Sequence, residues 1–183
     1  MKNHHLAKQR GFTLIELMVT IAIGAILLGI ALFSTTQMTN KEKANNFAME
    51  FKRQVKFARA KAMTTGDPVV MCAMATPGSD GACAADWMTG TIIMFSDINN
   101  NGTFENSADI LLRSVSSLVS NSKIKSTATN MKLTFDQRGQ VGAGETGSFI
   151  YCPSADNKYN IQLEVMSSGT IRNRGKTTST CDS

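Results

Sequence analysis

The sequence predicts an α+β fold in which one long N-terminal helix packs on antiparallel β-sheets. Three observations carry this. Phe12 to Phe33 is an apolar run interrupted by a single charge, Glu16. Between Asn40 and Met63 apolar residues recur at helical spacing. Beyond Pro68, short β-branched and aromatic runs alternate with Gly, Asn, Asp and Ser clusters.

The first run, FTLIELMVTIAIGAILLGIALF, makes a helix of roughly 33 Å at about 1.5 Å per residue, enough to cross a bilayer core. The leader MKNHHLAKQRG precedes it. Lys2, Lys8 and Arg10 predict a cytoplasmic N-terminus with the rest of the chain across the membrane. A secretory signal removed behind the run is the plain alternative, but no small-residue cleavage site stands out after Leu32. A carboxylate near the start of a membrane helix is costly and calls for a functional explanation. The plain account of Glu16 is a side chain that reaches the headgroups.

The second half of the helix carries Ala44, Phe47, Phe51, Val55, Ala58 and Ala62 on one stripe, with Lys52, Arg53, Lys56, Arg59 and Lys61 on other faces. These cations read as the solvated side of a helix laid on a sheet. Gly66 and Pro68 stop the helix. Strands are expected at about 68–74, 90–96, 109–115, 131–136, 147–152, 159–166 and 169–173. In 159–166, Tyr159, Ile161, Leu163 and Val165 share one face.

The chain has 183 residues, enough for one domain plus the helix, and a formal charge of +5. Without the three leader cations, 16 of the 19 basic residues remain against 14 acidic ones, a charge of +2. Global charge therefore says little about nucleic acid. Four cysteines behind a membrane-crossing segment suggest disulfides. Of three possible pairings, Cys72–Cys83 and Cys152–Cys181 close the nearest loops. Zinc is disfavoured, because no close Cys-x-x-Cys pair occurs and both histidines lie in the leader. Asp97-Ile98-Asn99-Asn100-Asn101-Gly102 matches the start of a calcium loop, but Ala108 stands where the twelfth-position glutamate belongs. The same residues carry an Asn-Gly turn signal. No catalytic constellation or phosphate loop is present in the sequence, so neither an enzyme nor a cofactor is expected.

Gly11-Phe12-Thr13-Leu14-Ile15-Glu16, behind a basic leader and before an apolar helix, resembles the class III signal of type IV pilins. The resemblance implies that prepilin peptidase cuts between Gly11 and Phe12 and that the new Phe12 amine is methylated. It also implies that Glu16 pairs with the N-terminal amine of a neighbouring subunit. Trp87-Met88-Thr89-Gly90, Ile93-Met94-Phe95-Ser96-Asp97, Asn99 to Gly102 and Asp109 to Arg113 are similar to the GspH/FimT group of minor pilins and pseudopilins. Leu133-Thr134-Phe135, Arg138-Gly139, Cys152 and Ser168 to Arg172 fit as well. That group implies a pilin-like fold without enzymatic activity.

The expected organisation is a leader at 1–11, a transmembrane and assembly half-helix at 12–33, an amphipathic half-helix at 34–65 and a periplasmic β-rich domain at 66–183. The resemblance implies a single-pass inner-membrane protein that becomes extracellular when assembled. Other pilin subunits, prepilin peptidase and the inner membrane are its expected partners. Gly169 to Cys181 holds Arg172, Arg174 and Lys176 and no acid. Alternation puts Arg172 and Arg174 on one side of an extended segment. Such a patch suits phosphates of double-stranded DNA, and equally suits edge-strand protection by positive charge. Some FimT-type members capture DNA during natural transformation through a C-terminal Gly-Arg-x-Arg motif. Gly169 and Arg172 match it, while Thr170 replaces the first arginine. The functional expectation is a minor type IV pilin with DNA as a partner. The alternatives are a minor pseudopilin of a type II secretion system and an unrelated membrane-anchored binding module.

Overall fold

The computed structural model describes residues 11–88, 90–115 and 122–181, and of residues 30–37 the backbone alone. The leader residues Lys2, Lys8 and Arg10, like Thr89, lie outside the described residues. Helix α1 is continuous over Leu14–Thr65. The chain divides within it into two units, the second being Asn40–Ser183.

In the first unit Thr13 precedes the helix and its Oγ1 accepts the Glu16 N–H at 3.3 Å. Apolar side chains such as Phe12, Leu14, Ile15, Ile21, Ile26 and Leu28 are all exposed. Among the described residues no helix is long and apolar enough to cross a membrane. The apolar stretch whose side chains are described, Leu14 to Gly29, spans only about 24 Å, against the roughly 30 Å of a bilayer core. In sequence the apolar run continues to Phe33.

The second unit is built from the rest of α1 and eight strands. These are β1 (Val69–Met74), β2 (Thr91–Ser96), β3 (Ile110–Val115), β4 (Lys123–Ser126), β5 (Lys132–Phe135), β6 (Gly147–Cys152), β7 (Ile161–Val165) and β8 (Ile171–Lys176). They form two four-stranded sheets, ordered β3-β2-β1-β5 and β4-β6-β7-β8, and every pairing is antiparallel. The stripe read from the sequence is the buried side of α1: Ala44, Phe51, Val55, Ala58 and Ala62 are buried, together with Ala48. They share one core with Met71 and Met94 of the first sheet and Phe149, Tyr151, Leu163 and Ile171 of the second. Alanine at four of these positions brings the helix backbone close to the sheets, and Phe51 fills the space between. Its ring lies 6.0 Å from Trp87 and 5.1 Å from Phe149. A buried aromatic of this size stabilises by about 2–3 kcal/mol.

Every residue of β1 is buried, because the first sheet is covered on both faces. Its second face holds Val70, Cys72, Ile93, Phe95 and Phe104. The Cys72–Cys83 disulfide pins the segment after β1 to this layer, and Cys152–Cys181 ties the C-terminal segment to β6. Thr65 ends α1, and Gly66 takes the left-handed conformation (φ 80°) that lets the chain turn into β1.

Three points depart from the sequence expectation. Strand β4 was not expected. Its four residues, Lys-Ile-Lys-Ser, bury only Ile124, too little for a periodic signal. Strand β8 runs on to Lys176, through a bulge opposite Gln162 and Leu163. The Asn-Gly signal does not close a tight hairpin. The β2–β3 connection spans residues 97–109, with Asn100 and Gly102 at positive φ inside it.

Candidate assembly and nucleic-acid surfaces

The N-terminal site is simple in geometry. Gly11 and Phe12 precede the helix and are exposed, which leaves the peptide bond between them accessible. Thr13 caps the first turn, and Glu16 stands three residues on. Thr-x-x-Glu is the pattern in which cap and carboxylate satisfy helix N–H groups reciprocally. Thr13-Leu14-Ile15-Glu16 carries this signal in the sequence itself. The N-terminal end of the helix dipole also favours a carboxylate there. Glu16 thus has a local reason for its position besides any contact with a neighbouring subunit.

The residues that carry the resemblance are mainly structural. Asp97 is buried and accepts the Asn101 and Gly102 N–H groups at 3.1 and 2.8 Å. Asp109, also buried, accepts those of Ile98 and Glu105 at 3.0 and 2.9 Å. Both carboxylates are therefore engaged in holding the 97–109 backbone. Among the described residues no group of three or more His, Cys, Asp or Glu is placed to hold a metal. Arg113 donates to Gln54 Oε1 at 3.0 Å, and its guanidinium lies 4.1 Å from the centre of the Phe57 ring, so it fastens β3 to α1.

Arg138 and Gly139 belong to a tight turn closed by Asp136. The Gln140 N–H above all, followed by the N–H and guanidinium of Arg138, holds the Asp136 carboxyl below its ordinary range. The Gly139 carbonyl accepts from Arg59 Nε at 3.2 Å and faces Gly169, where a Cβ would overlap it. Two turns and the helix thus meet at a point with no room for a side chain.

Glu145, not singled out from the sequence, caps an open sheet edge. Its Oε2 accepts the Thr134 N–H at 2.5 Å and its Oε1 the Thr134 hydroxyl at 3.0 Å. Thr134 is on β5, an edge strand, and Gly142 N–H donates to its carbonyl at 3.3 Å. Burial raises the Glu145 pKa, and the Thr134 donors only partly offset this.

The three C-terminal cations do not share one face. Arg172 is exposed and sits opposite Glu164 across the β7–β8 ladder. Arg174 Nε donates to Glu164 Oε2 at 2.8 Å, so both arginines lie on the side Glu164 occupies. The bulge then resets the alternation. Lys176 falls opposite core-facing Ile161, with its Nζ 6.0 Å from the Tyr159 ring centre. It lines a cleft of about 500 Å³ with Lys41 and Asn45 of α1. A one-residue bulge cannot be read from alternation alone.

Comparison with known proteins agrees with this architecture. A family model described as "Type II transport protein GspH" matches residues 48–169, and one described as "Prokaryotic N-terminal methylation motif" matches residues 6–32. A search of curated proteins returned no match. The type IV minor pilin FimU of Pseudomonas aeruginosa superposes with a TM-score of 0.55 at 16% identity, over 76% of this chain and 93% of its own. The minor pseudopilin EpsH of the Vibrio cholerae type II secretion system superposes with a TM-score of 0.50 at 11% identity, over 76% and 99%. At these identities the likeness is one of fold. The family match runs from the second half of α1, through both sheets, to the turn where Gly139 meets Gly169: the chain belongs to the GspH family of pilin- and pseudopilin-like proteins.

Proposed function

We propose that the chain is a minor subunit of a type IV pilus, processed by prepilin peptidase between Gly11 and Phe12 and methylated at Phe12. The observation that carries this is the methylation motif at 6–32 leading without interruption into the helix of a GspH-family domain. In this reading residues 1–11 are removed and residues 12–33 hold the subunit in the inner membrane. The exposed apolar side chains of that segment then pack among the helices of other pilins. Residues 34–65 back the β-rich part, 66–183, which lies in the periplasm before assembly and outside the cell after it. Glu16 meets the methylated amine of a neighbour, an ion pair drawn together in a medium of low dielectric. Double-stranded DNA is a partner of the exposed basic residues on β8, held through phosphates and without base reading.

A role as minor pseudopilin in type II secretion is the second reading, favoured by the description of the family model itself. Deleting the gene and measuring surface filaments, DNA uptake and the secreted proteins separates the two. Loss of filaments or uptake with normal secretion supports the pilus. Loss of secretion with normal filaments overturns it.

A further inference from the structure

The bulge on β8 sends its side chains to opposite sides of the sheet. Asn173 pairs with Leu163 and Lys176 with Ile161, and both partners belong to the core shared with α1. Asn173 and Lys176 therefore lie on the helix side, while Arg174, left between them, bonds Glu164 on the far face. On α1, Lys41 and Asn45 stand one turn apart and line the same cleft of about 500 Å³. Ala44, Tyr159 and Ile161 add apolar surface to it. No carboxylate is among the described residues that line the cleft. Asp156, in the connection 153–160, accepts instead from the Ser154 hydroxyl and the Lys158 N–H. Two ammonium groups thus converge on one cleft that supplies no acid to either.

We infer that this cleft holds the phosphate ester of an anionic lipid headgroup while the subunit resides in the membrane. The inference rests on the membrane reading of residues 12–33 given above and extends it to a specific lipid contact. A cleft lined by one sign of charge focuses its field on an incoming anion. Lys41 and Lys176 suit the phosphate oxygens, the Asn45 and Asn173 amides suit a headgroup hydroxyl, and the apolar surface suits the glycerol carbons. The volume is that of a small-ligand site. Position selects the lipid. Asn40 opens the second unit and donates to Ser154 Oγ at 3.3 Å, which puts the 153–160 connection and the cleft at the end of the unit where α1 enters it. Lys41 follows Phe33, the end of the apolar run, by eight residues, about 12 Å of helix. The headgroup layer is about 5–8 Å deep on each side of the bilayer core. Helical side chains lean toward the N-terminus and a lysine stem carries its charge further the same way, so the Lys41 ammonium reaches that layer.

The test uses the mature full-length chain in neutral-detergent micelles, with native mass spectrometry measuring retained phosphatidylglycerol against phosphatidylcholine. The unaltered chain should keep phosphatidylglycerol in preference. Lys41→Gln and Lys176→Gln should each weaken that binding about fivefold. Arg172→Gln/Arg174→Gln, on the far face, should leave it nearly unchanged. On the unaltered chain, phosphatidylglycerol should slow acetylation of Lys41 and Lys176 more than that of Lys56, a readout that does not depend on any variant folding. Equal weakening by the Arg172/Arg174 variant, or equal protection of Lys56, shows attraction by diffuse charge and overturns the cleft. Soluble glycerol phosphate that competes as well as the lipid assigns the site to a free phosphate ester and overturns the lipid source. An acidic peptide that displaces the lipid and protects the same lysines more strongly assigns the cleft to a protein partner and overturns the inference. No preference for phosphatidylglycerol in a chain that inserts into bilayers removes the cleft while the membrane reading stands. A chain that does not insert removes both.

Discussion

Gly169 packs against the carbonyl of Gly139 with no space for even a methyl group between them. Gly169 also sits at φ +71°, where a side chain is strained regardless of neighbours. Gly169→Ala should therefore cost about 3 kcal/mol or more, through overlap and backbone strain together. Gly175→Ala, at φ +86° but in open space, should cost only about 1 kcal/mol. Thermal unfolding of the two variants compares the effects directly. Equal losses would show that the contact with Gly139 is not a constraint.

Glu145 should leave a pH signature. Its carboxyl has a raised pKa in the folded chain, because burial disfavours the ionised form. The folded state therefore binds more protons than the unfolded one. The stability from this group is fully present below the ordinary carboxylate pKa and is lost as pH rises through the raised value. Glu145→Gln should flatten that part of the stability–pH curve and match or exceed the wild type at pH 7. Glu145→Ala should cost about 1–3 kcal/mol, because the Thr134 N–H loses its acceptor. Denaturant melts between pH 4 and 7.5 provide the check.

The two disulfides close loops of different length, with sequence separations of 11 and 29. By loop-closure entropy, Cys72→Ser/Cys83→Ser should cost about 3 kcal/mol and Cys152→Ser/Cys181→Ser about 4 kcal/mol. Urea unfolding of the two double variants measures this. The second should also raise hydrogen exchange between Thr177 and Cys181, a segment otherwise tied by Asn160, whose amide donates to the Ser179 carbonyl at 2.8 Å.

Glu16 and Thr13 separate helix capping from subunit pairing. Thr13→Ala removes the side chain that accepts the Glu16 N–H, a loss of about 1 kcal/mol at the helix start. It should leave filament incorporation largely intact. Glu16→Ala should leave membrane insertion unchanged and strongly reduce incorporation. Immunoblots of membranes and sheared filaments read both steps. Equal defects in the two variants would assign Glu16 to capping alone.

How far the fold was legible follows from where the apolar residues sit. The helix stripe, the strands that bury alternate residues and the nearest-loop cysteine pairs were readable, because each is a local pattern. Strand β4 was not, since Ile124 is its only buried side chain and its place depends on β6. The side taken by Lys176 was hidden because the bulge beside Leu163 comes from strand pairing and leaves no local mark. Glu145 was missed for a similar reason: its acceptor role requires Thr134, on a strand eleven residues away. The Thr13–Glu16 capping pattern is legible in Thr-x-x-Glu alone, because cap and carboxylate lie within one helical turn.

The central claim is that the chain is cut and modified at its apolar N-terminal segment and then assembled through it. Intact-mass and N-terminal peptide spectrometry of the protein from its native host tests this most directly. The expected product begins at Phe12 and carries one methyl group on its amine. A mature chain that still begins at Met1, or one cut beyond Leu32, would contradict it.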